Sequence, residues 1–164
     1  SKEELELYKQ NWLHLEGQRH YMENSFDFKI ETIGTYNNVE LVVKSCEIMN
    51  EKLSDLYKKC DTNTLKIKRS ETTMENCYDI ILENETYTLG KVIEFILYNN
   101  FYNGDKILSF CGFKQYHPHD DDSIIRIAFR ENQEIPNILE YIKTTCNIAK
   151  STYESIAGQI QAPE

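Results

Sequence analysis

The sequence predicts an α+β fold in which a small antiparallel sheet packs on long helices. Three observations predict it: two long apolar repeats at helical spacing, a shorter repeat between them, and four apolar runs of strand length. From Leu65 onward, the predicted order is strand, strand, helix, strand, strand, helix. This order is typical of helices that cover one face of an antiparallel sheet.

Residues 1–24 are polar and charged without a sustained period, so we expect a loosely structured connector. Phe26, Phe28 and Ile30 then alternate with charged residues, which is the period of a half-buried strand, and Gly34 ends that strand. A first long helix is expected at 39–60. Its apolar residues recur at helical spacing: Val39, Val42, Val43, Cys46, Met49, Leu53, Leu56, Tyr57 and Cys60.

After a polar turn at 61–63, two strands able to pair as a hairpin are expected at 65–68 and 78–82. Thr88 is the predicted N-cap of a shorter helix that ends near Asn99. Its apolar stripe consists of Leu89, Val92, Ile93, Ile96 and Leu97. Two further strands are expected at 107–113 and 124–129, with Ile125, Ile127 and Phe129 on one face.

A second long helix is predicted at 135–157, with Gly158 and Pro163 expected to end it. Its apolar seam consists of Ile138, Leu139, Ile142, Cys146, Ala149, Tyr153 and Ile156. A four-stranded sheet offers one face to helices, and three helices with long seams exceed what that face can cover. We therefore expect part of these seams to form an interface.

Composition and charge limit the class of protein. The chain has 164 residues, 40% hydrophobic and 27% charged, which suits one folded domain or a small domain with an appendage. Lys plus Arg number 18 against 27 Asp plus Glu, a net charge of −9, and direct binding of nucleic acid is not expected from an acidic chain. No apolar run reaches the length of a membrane span and the first 20 residues lack a leader pattern, so neither membrane insertion nor secretion is indicated.

Few residues are arranged for chemistry. The five cysteines form no CxxC pair, so we expect reduced and mostly buried thiols, with Cys111 in the core rather than acting as a nucleophile. His14 and His20 do not belong to a recognisable catalytic motif. The strongest metal candidate is the cluster His117, His119, Asp120, Asp121 and Asp122. Its spacing is typical of a solvated loop, so no metal or cofactor is predicted, and a metal-dependent hydrolase at this cluster is kept as an alternative.

Three segments resemble the alpha-like small assembly subunits of multisubunit RNA polymerases, namely the archaeal L-type protein and the eleventh subunit of eukaryotic polymerase II. They are the helix start Glu85-Thr86-Tyr87-Thr88-Leu89-Gly90-Lys91-Val92-Ile93, the turn Ser109-Phe110-Cys111-Gly112-Phe113 with Tyr116-His117-Pro118, and the strand Ile124-Ile125-Arg126-Ile127. These match the family's "H-T-L-G", "A-G-Y-x-x-x-H-P" and "I-x-I-x" marks in order. Tyr87 stands where the family usually has His.

Residues 25–60 are similar to the C-terminal strand and helix of the larger alpha-like partner, the archaeal D-type protein or the eukaryotic third subunit. The matching patterns are "F-x-F-x-I-E-S-x-G" and the "V-x-E-I-V" helix that follows. Together with the L-like dimerisation domain at 61–164, this resembles the fused subunits of large cytoplasmic DNA viruses, the asfarvirus kind especially. Because no earlier D-like elements precede Ser25, we expect the chain to be the C-terminal portion of a longer polypeptide.

The resemblance implies a non-catalytic scaffold of a DNA-directed RNA polymerase in viral transcription. Its implied partners are the second-largest subunit, small adaptor subunits and a D-like half, with a second copy of the chain as a further possibility. Host cytoplasmic viral factories and the virion are the implied location, with the nucleus in reserve. The residues implied at the dimerisation interface are Leu89, Val92, Ile93, Ile96, Ile138, Ile142, Ala149, Tyr153, Val42, Cys46, Met49 and Leu53. An acidic interaction module unrelated to polymerase is the remaining alternative.

Overall fold

The computed structural model describes residues 1–117 and 119–161, and the chain divides into two compact units, Ser1–Ile33 and Gly34–Glu164. The first unit contains helix α1, Lys2–His14, and a short 3-10 turn at Glu16–Arg19. A capping box starts α1, since the Glu4 N–H donates to Ser1 Oγ and the Glu4 carboxylate accepts from the Ser1 amino group. The prediction of a loosely structured segment is therefore wrong for α1, because a capping box and the apolar residues Leu5, Tyr8 and Trp12 at helical spacing favour a helix there.

The strand predicted around Phe26, Phe28 and Ile30 is not formed. Among the residues that the structure describes, no strand pairs with this segment, and both phenylalanines are exposed. The alternating pattern is present, but a strand also needs a neighbour for its backbone N–H and C=O groups.

The second unit contains one antiparallel sheet in the order β1-β2-β4-β3. Its strands are β1 Ile67–Arg69, β2 Cys77–Leu82, β3 Leu108–Lys114 and β4 Ser123–Phe129, all close to their predicted positions. The predicted hairpin is confirmed, with Ile67 opposite Ile80 in β1 and β2. Ile125, Ile127 and Phe129 of β4 are all buried, as their shared face predicts.

Three helices cover the sheet: α2 Asn38–Asp61, α3 Tyr87–Leu97 and α4 Ile135–Gln161. A capping box starts α2, where the Glu40 N–H donates to Asn37 Oδ1 at 2.8 Å. The N-cap of α3 is Thr86 rather than Thr88, and it makes no side-chain capping bond. α4 continues through Gly158, whose surroundings are open, and therefore does not end where expected. Pro163 lies outside the described residues.

The core lies where α2, α3 and α4 meet the inner face of the sheet. Its fully buried members come from both layers: Leu53, Ile93, Ile138 and Ile142 from the helices, and Ile80, Ile125 and Ile127 from the strands. Lys143 of α4 bonds Asp61 at the end of α2 at 2.6 Å, which ties the two long helices together at one end. The prediction that the apolar seam of the second long helix packs partly on another helix is thus confirmed, because α4 packs along α2.

A seven-residue π-helix, Tyr98–Gly104, continues α3 beyond its predicted end. Phe101 is buried against Tyr141 of α4, with ring centroids 5.1 Å apart, while Tyr98 stacks on Tyr102 at 4.8 Å. The wider π turn lets the chain seat Phe101 in the core before it turns toward β3. None of the helices in the described part of the chain is long and apolar enough to cross a bilayer.

Candidate functional site

An open apolar groove of about 730 Å³ runs between α3 and α4, and we call it the α3–α4 groove. Its walls are almost entirely apolar side chains and the stems of polar ones. It is lined by Lys91, Val92, Glu94, Phe95, Ile96, Tyr98, Cys111, Ala149, Thr152, Tyr153 and Ile156. A surface of this kind can bury the apolar side chains of a partner helix.

The groove exists because α3 is apolar on more than one side. Leu89, Ile93 and Leu97 face the core and are buried, whereas Val92 and Ile96 are half-buried on the adjacent face. Phe95 is 66% exposed, which is high for a phenylalanine in the middle of a helix. A helix with apolar residues around most of its circumference is typical of an element that is covered on both sides.

The other wall of the groove comes from the second half of α4. Cys146 and Ala149 are buried against the core, and Tyr153 and Ile156 follow them along the same side of the helix with part of their surface open. Burial raises the pKa of the Tyr153 hydroxyl, so that this side chain is a neutral aromatic at physiological pH.

Gly90 sets the position of α3 against the sheet. A Cβ atom at Gly90 would lie 1.9 Å from Cε2 of Phe113 in β3, so only glycine permits this close approach. Tyr87, one turn earlier, packs edge-on against the same ring, with centroids 4.9 Å apart. The Thr-Leu-Gly-Lys segment of the sequence is thus the point where α3 rests on β3.

Glu94 joins α3 to the edge of the sheet. Its Oε1 accepts the Phe113 N–H at 3.3 Å, and its backbone carbonyl accepts the Cys111 thiol, with Sγ at 3.7 Å. Lys91 forms an ion pair with the same carboxylate. These bonds satisfy an edge N–H of β3 and leave the groove without an unpaired charge from Lys91 or Glu94.

The thiol in the groove is not tuned for chemistry. Burial raises the pKa of Cys111 to about 12, so the group is a protonated thiol at neutral pH. All five cysteines are free, and burial likewise raises the pKa of Cys60 to about 11 and that of Cys146 to about 12. The prediction of reduced, mostly buried thiols agrees with this arrangement.

The structure divides the predicted interface residues into two groups. Those buried in the core of the chain itself are Leu89, Ile93, Ile138, Ile142, Ala149, Cys46, Met49 and Leu53. Those with accessible surface are Val42, Val92, Ile96 and Tyr153. Ala149 of the buried group also lines the groove, but the accessible surface there is supplied by Val92, Ile96 and Tyr153, joined by Phe95 and Ile156.

Phe95 is absent from the interface residues predicted from the sequence, because it lies outside the strict stripe of apolar positions in α3. The usable signal is the run Ile93-Glu94-Phe95-Ile96-Leu97, in which apolar residues occupy more positions than a single helical stripe needs. The exposed face of such a helix becomes evident only once the buried face is known.

The histidine and aspartate loop makes contacts of a structural kind. The His117 N–H donates to Asp120 Oδ2 at 3.0 Å, the His119 N–H donates to His117 Nδ1 at 3.1 Å, and the Asn84 N–H donates to Asp122 Oδ1 at 2.9 Å. Pro118 lies outside the described residues. Within 1–117 and 119–161, no three His, Cys, Asp or Glu side chains are grouped to hold a metal ion.

The remaining two histidines lie in the first unit and are exposed; the His20 ring stacks on Trp12 at 5.8 Å. The α3–α4 groove is therefore the feature of the second unit that calls for a functional explanation. No protein-family model matches the chain, and no curated protein matches it at a significant level.

Proposed function

We propose that the chain is a non-catalytic assembly subunit of a multisubunit DNA-directed RNA polymerase. In this proposal the α3–α4 groove pairs with a helix of a D-like half, in the same or another chain. The observation that carries the proposal is the open apolar groove on α3, the helix that begins with the Thr86–Lys91 segment resembling the family's helix start. An α+β fold with surplus helical surface supports the same proposal.

The energetics suit a stable pairing. Phe95 is mostly exposed, and Ile156 retains 37% of its surface. Fully burying a large apolar side chain contributes about 1.5–3 kcal/mol, so several residues along one groove supply enough for a lasting helix pair. A few central aromatic and aliphatic side chains usually dominate such interfaces.

The pairing residues of this proposal are Val92, Phe95, Ile96, Tyr153 and Ile156. The buried members of the predicted interface set act indirectly, because they hold α3 and α4 at the spacing that makes the groove. The pair would then form the platform for the second-largest subunit and the small adaptors. By the resemblance, the polymerase is a viral one, working in the host cytoplasm and the virion, with the nucleus in reserve.

Copurification with the polymerase tests the proposal. A tagged chain is produced together with the polymerase in its natural host cells, in parallel with variants Phe95→Asp and Ile156→Asp. Both side chains are exposed, so the variants should fold, while the charge in an apolar interface should reduce the recovered polymerase about tenfold or more. The large subunits recovered with the unaltered chain are measured by quantitative mass spectrometry.

Ile48→Asp is the matched control, since Ile48 is 47% exposed on α2 and lies outside the groove. It should retain the polymerase. If the unaltered chain recovers no polymerase subunits, the proposed function is wrong. If Phe95→Asp and Ile48→Asp both recover the polymerase fully, the groove is not the pairing surface.

A further inference from the structure

One end of each long helix projects beyond the core of the second unit. The buried residues of α2 begin at Cys46 and those of α4 end at Ala149, so neither residues 38–45 nor residues 150–161 contain a buried side chain. At 1.5 Å per residue, the projecting part of α4 is about 18 Å long. We call these two stretches together the overhang.

The two helices are antiparallel and remain side by side in the overhang. Near one end of the pair, Lys143 Nζ lies 2.6 Å from Asp61 Oδ1. Near the other end, Val39 of α2 and Gln161 of α4 line the same small cleft. The overhang is therefore a pair of neighbouring helices with a shared surface rather than two separate helix ends.

The overhang continues the core-facing sides of both helices. Its apolar side chains on this side, which we call the overhang stripe, are Val39, Val42, Tyr153, Ile156 and Ile160. At helical spacing they extend the rows that contain the buried residues Cys46 of α2 and Ala149 of α4. Val39, Ile156 and Ile160 are 45%, 37% and 38% exposed. An apolar row of this kind is typical of a helix face that is covered by another element.

Charged residues of the helix pair lie on a different side. Glu47, Lys150 and Glu154 line a separate polar cleft between α2 and α4, and none of them lines the α3–α4 groove. The overhang stripe itself contains no charged residue. Its occupant must therefore bring apolar side chains, since a charge placed there would lose its hydration without gaining an ionic partner.

The overhang stripe is continuous with the α3–α4 groove. Tyr153 and Ile156 belong to both, and Ile160 lies about one turn beyond Ile156 on the same side of α4. The groove has 11 lining residues, whereas each partner in a stable complex usually contributes about 20–30 residues. A lasting pairing at the groove needs further surface, and the overhang stripe is apolar surface directly next to it.

The backbone of the overhang favours a helix as the occupant. Away from their ends, α2 and α4 use their N–H and C=O groups within the helices, so they offer no free edge to a strand. Contact is left to side chains spaced three and four residues apart, which is how an amphipathic helix is bound in a groove.

We propose that the partner helix in the α3–α4 groove continues along the overhang stripe and contacts Val39, Val42 and Ile160. The inference rests on the proposed function, which assigns that helix to a D-like half. From Ala149 to Ile160 the contact extends about 17 Å along α4. The bound helix is therefore at least about three turns long, with an uncharged apolar face at i, i+3, i+4 and i+7.

Site-specific photocrosslinking in the full chain tests this extension. The photoreactive amino acid p-benzoylphenylalanine replaces one residue at a time in the cells that naturally produce the protein: Phe95 in the groove, Val39 and Ile160 in the overhang stripe, and Ser151 as the matched control. Ser151 is exposed and lies on the opposite side of α4 from Ile160. Positions 39, 95 and 160 should crosslink to one helix of one polypeptide, with yields about tenfold above that at 151.

The crosslinks separate the extension from the proposed function. If position 95 reaches a D-like helix and positions 39 and 160 do not, the extension is wrong and the proposed function stands. If all three positions reach one helix outside the polymerase, the proposed function is wrong and the continuous surface is supported. Crosslinks from 39 and 160 to a strand or to a second copy of the chain, or at the yield of the control, would also overturn the inference.

Binding affinity supplies a second readout. Ile160→Asp should weaken binding to a separately produced D-like half about tenfold, because it places a charge in an apolar contact. Ser151→Asp introduces the same side chain on the outward side of α4 and should change the affinity by less than about twofold. Circular dichroism of both variants checks that their helix content is equal. Equal affinities of the two variants would contradict the extension.

Discussion

Gly90 shows how one residue decides the placement of a helix. Alanine usually stabilises a helix relative to glycine by about 0.5–1 kcal/mol. At Gly90 this gain is opposed by a steric clash, because the Phe113 ring occupies the space that a Cβ would need. The ring cannot withdraw freely, because it also packs against Tyr87.

Replacing Gly90 with alanine should therefore lower the free energy of unfolding, whereas the same replacement in a helix usually raises it. Gly90→Ala should destabilise the chain by about 1–3 kcal/mol through overpacking. Gly158→Ala is the matched control, since Gly158 lies in α4 with open surroundings, and should stabilise by about 0.5–1 kcal/mol. Urea unfolding of both variants checks the difference; a stability gain in both would show that α3 does not approach β3 so closely.

Asp79 and Arg126 form the best-defined ion pair of the sheet. They face each other across β2 and β4, with Arg126 Nε 2.6 Å from Asp79 Oδ1 and Nη2 2.7 Å from Oδ2. The Ser70 hydroxyl also donates to this carboxylate. The Arg126 hydrogen bonds hold the pKa of the Asp79 carboxyl below its ordinary value, despite the opposing effect of burial.

The pair gives stability a defined pH dependence. Because the folded-state pKa of Asp79 is lowered, its contribution is complete above the unfolded value of about 3.9 and is lost as pH falls through the folded value. Asp79→Asn should lower the free energy of unfolding by about 1–3 kcal/mol at neutral pH. On acidification, the variant should lose less further stability than the unaltered chain. Denaturant unfolding at neutral and acidic pH measures both; an unchanged acid slope in the variant would contradict the pairing.

At the scale of elements, the long helices are predictable because their apolar period persists over many turns. The period predicts a helix at 39–60, and α2 is Asn38–Asp61. The same criterion misses α1 because the apolar period of that helix is short. The usable signals are the Ser1 to Glu4 spacing of a capping box and the helical spacing of Leu5, Tyr8 and Trp12.

Residues 25–31 and the α3–α4 groove show what a sequence pattern leaves open. Phe26, Phe28 and Ile30 have the period of a strand, but pairing depends on a neighbour that the described residues do not supply. The sequence shows that the helices carry more apolar surface than one face of the sheet can cover. Which of these residues are buried, such as Ile93, and which are exposed, such as Phe95, depends on where the sheet lies. Periodicity predicts elements, and tertiary packing decides which of their faces stay open.

Two isoleucines of α4 allow core and surface positions of the same helix to be compared. Ile142 is fully buried, so Ile142→Asp should destabilise by about 4 kcal/mol or more, because an unpaired charge would be buried. Ile148→Asp on the same helix should cost less than about 1 kcal/mol, since Ile148 is exposed. Thermal unfolding followed by circular dichroism distinguishes them. Equal stability of the two variants would show that Ile142 is not a core residue and restore it as an interface candidate.

At the scale of the whole molecule, the proposed function predicts pairing with a different protein rather than self-association. The net charge of −9 works against close approach of two copies. The groove is apolar and its two charged rim residues, Lys91 and Glu94, pair with each other. In the proposed heterologous complex, the apolar contact in the groove would therefore supply the affinity.

The most direct test of the groove as a pairing surface is the mass in solution of the chain mixed with a separately produced D-like half. Light scattering of the unaltered chain in this mixture should give a one-to-one complex, while Phe95→Asp should leave a separate species of 19.4 kDa. Ile48→Asp should form the complex as the unaltered chain does. An unaltered chain that stays at 19.4 kDa in the mixture, or a Phe95→Asp variant that forms the full complex, would contradict the account.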